Sequence, residues 1–215
     1  MEFWPLILGL LPSIAWLIFY LSEDKNPEPK KTLFLAFLAG SITTFVVLTV
    51  QIFANKFAIN IGIQEHSPVS FFILGGLEEL FKFGAVYWVI SKRPEFDEPI
   101  DAMIYMITAA LGFAAVENIS AAYSASLPTA LETTTLRFFG ATLLHTLCSG
   151  LVGYYWAKSI LNNKKNILIF GLTLAALLHA IFNYLIIKYE PVIVPTIFLI
   201  VFALFILHDF EKLKK

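Results

Sequence analysis

Three ionisable residues occur within five positions of one apolar segment, namely Glu78, Glu79 and Lys82. The segment at 70–90 is otherwise largely apolar and is long enough to cross a lipid bilayer. Each ionisable residue at the centre of a membrane helix costs about 2.5–3.5 kcal/mol on insertion scales, so these side chains are expected to face protein or water. Ionisable residues at membrane depth usually mark a functional site, and this cluster is therefore the first candidate for chemistry.

The spacing around the cluster suits acid–base chemistry. Glu78 and Lys82 are four residues apart and therefore share one face of a helix. Gly75 and Gly76 lie one turn earlier, where missing side chains leave room for a neighbouring helix or a substrate. Two adjacent carboxylates cannot both ionise cheaply in a low dielectric, and such a carboxylate suits a general base that activates water. An ion pair with Lys82 accounts for at most one of the two carboxylates.

The composition indicates the class of protein. Of 215 residues, 58% are hydrophobic and 14% are charged, and the mean hydropathy is +0.77. Soluble domains are about half apolar and a quarter charged, so this composition predicts a multi-pass membrane protein with a single domain, residues 1–215. The net charge of −1 and the lack of a basic run predict no nucleic-acid partner. The single cysteine, Cys148, excludes an intrachain disulfide framework.

Apolar segments of about 20 residues predict seven membrane-spanning helices and hence an all-α bundle. The predicted spans are 4–21, 32–54, 70–90, 100–122, 134–157, 167–187 and 192–207. The longest connectors are expected at 55–69 and 122–133. The first residues lack the basic region of a signal peptide, so the first span is expected to be retained.

The distribution of positive charge predicts the orientation of the chain in the membrane. Eleven of the 15 Lys and Arg residues fall on one side of the predicted spans. They are Lys25, Lys30, Lys31, Lys92, Arg93, Lys158, Lys164, Lys165, Lys212, Lys214 and Lys215. Because Lys and Arg accumulate on the cytoplasmic side, the N-terminus is predicted outside and the C-terminus inside.

Polar residues of four spans are predicted to meet at one depth. With a rise of about 1.5 Å per residue, they lie roughly 6–16 Å below the outer ends of their helices. They are Glu78 and Glu79 on the third span, Glu117 on the fourth, His145 on the fifth, and His179 with Asn183 on the sixth. His179 and Asn183 are also four residues apart and project together. This convergence predicts one site in the outer half of the membrane.

Several of these residues also have a purely structural interpretation. Glu117 fits a buried hydrogen-bond partner between helices, and a lone histidine such as His145 is more often a satisfied core residue. Cys148 is interpreted as a small buried hydrophobe rather than a metal ligand. Asp101 is interpreted as a carboxylate that favours the start of a helix. Arg137 is expected to be solvated near an interface.

Taken in order, these residues resemble the PrsW family of intramembrane proteases. The resemblance rests on Glu78-Glu79-x-x-Lys82, Phe113-x-x-x-Glu117-Asn118, His145 and His179-x-x-x-Asn183. Flanking residues that are similar to the family are Tyr20, Asp24, Pro27-Glu28-Pro29, Asp101 and the Leu-Gly-Phe-Ala run at 111–114.

A more distant resemblance is to the superfamily of CAAX prenyl endopeptidases and bacteriocin-processing proteins, whose motifs read EExxxR, FxxxH and HxxxN. Here Lys82 replaces the arginine one position earlier, and Glu117 replaces the histidine of the second motif. These departures favour PrsW and argue against a prenylated substrate.

The PrsW resemblance implies proteolysis of a single-pass, membrane-anchored protein. The typical reaction is first-site cleavage of an anti-sigma factor on the extracytoplasmic side of a prokaryotic cytoplasmic membrane. With this resemblance, Glu78 is the expected base that activates water, and Glu79 shares the proton or orients the site. The water or a metal is then held by Glu117, His145 and His179, and the oxyanion is supported by Asn183.

The sequence does not decide whether the site binds a metal ion. Two histidines with carboxylates can form a Zn²⁺ site with an open position. However, no HExxH motif is present, and water activation without a metal uses the same residues. The absence of a GxSxG motif argues against a serine protease.

Two other classes of protein remain open from the sequence. A proton- or ion-coupled transporter also places Glu, His and Lys at membrane depth, but it is expected to show broken helices or internal repeats, and none is visible. A non-catalytic membrane scaffold related to these proteases would keep the fold without the chemistry. The full set of polar residues argues against that scaffold.

Overall fold

A computed structural model describes residues 3–22, 26–189 and 192–213, which form eight α-helices and no β-strand. The helices are α1 (Trp4–Ser22), α2 (Lys30–Asn60), α3 (Pro68–Ile90), α4 (Asp101–Tyr123), α5 (Leu127–Phe139), α6 (Ala141–Leu161), α7 (Lys165–Lys188) and α8 (Ile193–Leu213). The predicted all-α bundle is confirmed. Four residues named in the sequence analysis lie outside the described residues, namely Asp24, Lys25, Lys214 and Lys215.

Six segments of the described chain are long and apolar enough to cross a membrane. They are α1, α2, α4, the stretch formed by α5 with α6, α7 and α8. Helix α3 has a comparable length of 23 residues but carries Glu78, Glu79 and Lys82 near its middle. It packs between α2 and α7, so these three side chains are buried within the bundle. Seven helical units therefore correspond to the seven predicted spans.

The prediction for the fifth span was wrong at its beginning. The predicted helix at 134–157 is interrupted at Gly140, and the expected connector at 122–133 contains most of α5. Gly140 has a non-helical backbone, with φ −103° and ψ −100°. A Cβ atom there would lie 2.7 Å from the Leu136 carbonyl oxygen, so glycine permits the sharp change of direction. The other expected connector, 55–69, is also shorter, because α2 continues to Asn60.

Helix α4 is the centre of the bundle. Every residue from Asp101 to Ala115 is buried, and the helix packs against α1, α2 and α6. Small residues allow α2 and α4 to meet backbone to backbone. A Cβ atom on Gly40 would lie only 1.9 Å from the Ala109 carbonyl oxygen. This close packing holds α4 in one position and thereby fixes the height of Glu117.

The start of α4 is held by Asp101, as the structural interpretation predicts. Its Oδ2 atom accepts hydrogen bonds from the backbone N–H groups of Asp97 and Glu98, at 2.9 and 2.7 Å. Asp101 therefore orders the turn that leads into the central helix and lies in the first turn of the helix, far from Glu117 near its other end.

Candidate active site

Side chains from α3, α4, α6 and α7 meet in one buried cluster. The members are Glu78, Glu79 and Lys82 on α3, Glu117 on α4, His145 on α6 and His179 on α7. The predicted convergence of four helices is therefore observed. Glu79 and Lys82 are fully buried, and the two histidines are almost so.

Glu79 is the most fully bonded member of the cluster. Its Oε1 atom lies 2.6 Å from Lys82 Nζ and 3.2 Å from His179 Nδ1. Its Oε2 atom accepts a hydrogen bond from the Ser149 hydroxyl at 2.9 Å. A carboxylate with both oxygens engaged in this way positions its neighbours and has little freedom to bind a water molecule.

The bond to Glu79 determines which nitrogen of His179 is available. A carboxylate only accepts, so Nδ1 carries the hydrogen and Nε2 presents its lone pair. Nε2 faces Glu78, with 3.6 Å between it and Glu78 Oε2. On α3, Gly75 makes room for this ring, because a Cβ atom there would lie 3.0 Å from His179 Cγ. The histidine is thus aimed at Glu78 from across the α3–α7 interface.

His145 is oriented by a cation on one side and a carboxylate on the other. Lys82 Nζ lies 3.1 Å from Nδ1, and Glu117 Oε2 lies 3.0 Å from Nε2. Because an ammonium group only donates, Nδ1 is the acceptor and Nε2–H donates to Glu117. The Phe113 ring packs against the imidazole, with 5.4 Å between ring centres.

Glu78 differs from Glu79 in having one unused oxygen. Its Oε1 atom accepts a hydrogen bond from Gln51 Nε2 at 2.9 Å. Its Oε2 atom is buried and has no hydrogen-bond partner among the described residues. This atom lies 3.6 Å from His179 Nε2 and 3.8 Å from His145 Nδ1. Buried polar atoms are almost always satisfied, so a water molecule or an ion is expected beside this oxygen.

The three groups around this point fit a divalent metal. Glu78, His145 and His179 each offer one ligand atom, and these three atoms lie within 4.8 Å of one another. Glu78 Oε2 lies 3.8 Å from His145 Nδ1 and 3.6 Å from His179 Nε2. Ligand atoms about 2.0–2.2 Å from a tetrahedral ion are roughly 3.3–3.6 Å apart, so only small shifts are needed, and a fourth position stays open. For His145 Nδ1 to bind the ion, Lys82 Nζ would have to give up its contact with that nitrogen, while its bond to Glu79 could remain.

A second group that could hold a metal consists of Glu79, Cys148 and His179. It fits less well, because both oxygens of Glu79 are already bonded. Cys148 is fully buried, and its thiol donates to the Ala175 carbonyl oxygen at 3.6 Å. This environment agrees with the interpretation of Cys148 as a small buried hydrophobe.

Residues 28–208 match the family model described as PrsW family intramembrane metalloprotease. The chain belongs to the PrsW family. It is therefore an intramembrane protease, and its membrane-spanning helices make it an integral membrane protein. The family is described as metal-dependent, and the cluster of Glu78, His145 and His179 could hold the ion.

Curated relatives agree with this assignment. The chain is 30% identical to Protease PrsW of Oceanobacillus iheyensis over 181 residues, which cover 82% of the chain and 80% of the relative. It is 29% identical to Protease PrsW of Geobacillus kaustophilus over 185 residues, covering 85% and 79%. It is 29% identical to Protease PrsW of Clostridioides difficile over 216 residues, covering 97% and 90%. No solved structure shows a significant match.

Arg137 is part of the site in this PrsW-family protein, and the prediction that it is solvated was wrong. Its Nη2 atom donates to Glu117 Oε2 at 2.9 Å, and its Nε atom donates to Asn118 Oδ1. The side chain is only 25% exposed. Its position near the end of an apolar segment was a usable signal, but the turn at Gly140 that brings it to Glu117 was not predicted.

Two further polar residues were missed by the sequence analysis. Ser149 lies four residues after His145, so the spacing places it on the same face of α6 and was a usable signal. Gln51 lies in a largely apolar part of α2, and besides its bond to Glu78 it donates to the Leu74 carbonyl oxygen at 3.1 Å. Ser149 therefore hydrogen-bonds Glu79 and Gln51 hydrogen-bonds Glu78, so the two glutamates have different partners.

Asn183 is not brought into the cluster. Its side chain is half-buried, makes no hydrogen bond within the described residues, and lines a neighbouring cavity between the α5–α6 junction, α7 and α8. It lies one helical turn from His179, so the cavity and the cluster are close together along α7. A role in supporting an oxyanion stays a prediction.

Proposed function

We propose that this protein hydrolyses a peptide bond of a single-pass membrane protein, with Glu78 as the base that accepts the proton of the attacking water. The observation that carries this proposal is the buried Glu78 Oε2 atom, which lacks a hydrogen-bond partner among the described residues and faces ring nitrogens of His145 and His179. A water molecule beside it could donate hydrogen bonds to Glu78 Oε2 and to the free lone pair of His179 Nε2, whereas the lone pair of His145 Nδ1 already accepts from Lys82. This arrangement favours Glu78 over Glu79 as the base.

Glu79 and Lys82 then serve as positioning residues. Glu79 fixes the tautomer of His179 through Nδ1, so that Nε2 faces the water. Lys82 provides the positive charge that makes two neighbouring carboxylates tolerable in a buried site. Glu117 holds His145 through the opposite ring nitrogen, and it therefore orients the imidazole rather than sharing an ion with His179.

The residues also fit a Zn²⁺ ion held by Glu78, His145 and His179. When bound, such an ion polarises the substrate carbonyl and makes the attacking water more acidic. The chain itself directs three ligand atoms toward one point. Each of the three ligating side chains is also held by a hydrogen bond to another residue. These partners are Gln51 for Glu78, Glu117 for His145 and Glu79 for His179.

The expected substrate is a membrane-anchored regulator of the anti-sigma factor type, cut first near the outer face of the membrane. The family assignment makes the substrate a membrane protein. The excess of Lys and Arg on one side of the spans predicts that the cluster lies in the outer half of the bilayer. A second protease would complete the cleavage.

The test is co-expression with a panel of tagged single-pass anti-sigma factors, comparing the wild-type chain with Glu78→Gln and His179→Ala. Glu65→Gln is the matched control, because Glu65 is exposed and accepts a hydrogen bond from Asn55, away from the cluster. Cleavage is expected from wild type and the control and not from the two site variants. Cleavage that persists in both site variants would refute the proposed site. Ion flux across liposomes without cleavage of any partner would favour a transporter instead.

A further inference from the structure

A cavity with a volume of about 540 Å³ lies beside the cluster, between the α5–α6 junction, α7 and α8. Its wall is mainly apolar and includes Leu136, Phe139, Phe182, Ile186, Pro195 and Leu199. Phe139 and Ile186 are 59% and 42% exposed on the apolar outside of the bundle. The cavity therefore opens at the side of the bundle, and its size is that of an ordinary ligand pocket.

Two polar side chains in this wall have hydrogen-bonding capacity to spare. The hydroxyls of Thr135 and Thr196 donate to the carbonyl oxygens four residues earlier, those of Leu131 and Val192. The carboxamide of Asn183 makes no hydrogen bond within the described chain. Arg137 carries five N–H donors and uses one for Glu117 and one for Asn118, so further donors stay available.

Arg137 also connects the cavity to the cluster. It lines the cavity, its Nη2 atom contacts Glu117 Oε2, and the same Glu117 oxygen contacts His145 Nε2. Asn183 lies one turn of α7 from His179. The cavity is thus linked to His145 through Arg137 and Glu117, and to His179 along one turn of α7.

The chemistry of the wall indicates the conformation of the occupant. A transmembrane helix satisfies its own backbone groups, so it has no use for the free donors of Asn183 and Arg137. An extended segment exposes backbone N–H and C=O groups, which need partners in an apolar environment. A protease also needs an extended segment, because the peptide bond must be reached by water. A lipid acyl chain fits the apolar wall but offers nothing to the two polar side chains.

We propose that this cavity, bounded by Leu136, Gly140, Phe182 and Leu199, is the substrate-binding subsite for an unwound, apolar stretch of the substrate next to the scissile bond. Backbone carbonyls of that stretch accept hydrogen bonds from Asn183 and Arg137. The segment enters sideways from the bilayer past α5 and α8. This inference rests on the proposed proteolytic function and adds to it the path of entry and the class of peptide that is bound.

Photo-crosslinking of the full-length chain in proteoliposomes tests the subsite. p-Benzoylphenylalanine replaces Phe139 in the cavity or, as the matched control, Phe72 in the apolar groove between α3 and α7. Both carry Glu78→Gln to prevent cleavage. The probes are a lysine-flanked Leu/Ala transmembrane peptide and the same peptide with a Gly-Gly pair near its outer end, which weakens the helix.

The Gly-Gly peptide is expected to crosslink at Phe139 at least five-fold more than the uninterrupted peptide, and the Phe72 control is expected to show no such preference. Leu199→Trp fills the cavity and is expected to remove most of the crosslinking at Phe139. Leu177→Trp, in the α3–α7 groove, is its control. Equal labelling at Phe139 and Phe72 overturns the proposal. The proposal is also overturned if a diazirine-bearing phosphatidylcholine labels the cavity at Phe139 and the Gly-Gly peptide does not reduce that labelling.

The outcomes separate this inference from the proposed function. Cleavage of a co-expressed substrate without preferential crosslinking at Phe139 means that the protease acts but binds its substrate elsewhere. Preferential crosslinking with no cleavage of any substrate in the panel means that the subsite binds peptide but the hydrolytic proposal fails.

Discussion

Glu78 Oε2 and His179 Nε2 lie 3.6 Å apart in the interior of the bundle, and the carboxylate oxygen has no hydrogen-bond partner among the described residues. The neighbouring Glu79 is bonded to Lys82, His179 and Ser149. Two adjacent residues of one sequence motif thus have opposite environments.

Glu78→Gln and Glu79→Gln are expected to differ in stability although both lower cleavage. Loss of the Glu78 base reduces the cleavage rate by about 10²–10⁴-fold, with little loss of thermal stability because its Oε2 atom makes no hydrogen bond to the described residues. Loss of the Glu79 charge leaves Lys82 without its closest partner in a fully buried position. Breaking such a pair costs about 3–5 kcal/mol. Thermal unfolding in detergent measures this difference, and equal melting temperatures would contradict it.

A paired replacement should recover part of that stability. Lys82→Met alone leaves Glu79 without its 2.6 Å partner, whereas Glu79→Gln combined with Lys82→Met removes both buried charges. The double variant is expected to unfold at a higher temperature than either single variant, while it stays inactive. A double variant no more stable than the worse single variant would show that the two residues do not act as a pair.

Metal content should distinguish the two candidate groups of ligands. The purified protein is expected to hold about one Zn²⁺ per chain if Glu78, His145 and His179 form the site. His179→Ala and Glu78→Ala are expected to lose the ion. Cys148→Ser is expected to retain it, because Cys148 belongs only to the alternative group with Glu79. Elemental analysis of the purified variants gives this answer without an activity assay, and loss of the ion in Cys148→Ser would favour the alternative group.

Arg137→Lys should impair cleavage although the charge is retained. The guanidinium contacts Glu117 and Asn118 through two different nitrogens, and a single ammonium group cannot reproduce both bonds. We expect roughly ten-fold slower cleavage, an estimate for a residue that acts through a neighbour. Arg93→Lys is the control, since Arg93 donates its Nε–H to the Val89 carbonyl oxygen away from the site. Equal rates for the two variants would argue against a role for Arg137.

Gly75→Ala tests whether the α3–α7 contact aims His179. A Cβ atom at Gly75 would lie 3.0 Å from His179 Cγ, so the ring or the helix has to shift. A displacement near 1 Å in a catalytic geometry can cost about 10²-fold in rate. Gly84→Ala is the control on the same helix, because nothing lies within 4 Å of the added atom. Cleavage rates of the two variants are compared, and an unimpaired Gly75→Ala variant would show that His179 tolerates the shift.

The sequence alone was sufficient to predict the helical architecture and the meeting of four helices. Long apolar segments in a membrane have almost no alternative to helices, because backbone groups must be satisfied internally. The rise per residue then places Glu79, Glu117, His145 and His179 at similar depths, and ionisable side chains at that depth have to face one another. Direct contacts among these four residues are observed.

Other features depended on how the helices are rotated and packed. Adjacent residues on a helix point in directions about 100° apart, so Glu78 and Glu79 face different neighbouring helices. Which of the two carboxylates is fully hydrogen-bonded therefore depends on the side chains that those helices present. Only the packing of α2 and α6 against α3 assigns Gln51 to Glu78 and Ser149 to Glu79. The break at Gly140 likewise brings Arg137 to Glu117.

The sequence by itself thus determined which polar residues stand at matching heights along their helices, because residue type and helical rise are local properties. The tertiary structure decided which oxygen of Glu78 is left unbonded and that Asn183 lines a cavity beside the cluster. These features depend on contacts between helices distant in the chain, and no local pattern records them. The motif of adjacent glutamates is one feature of the sequence, but in the folded chain its two carboxylates have different partners.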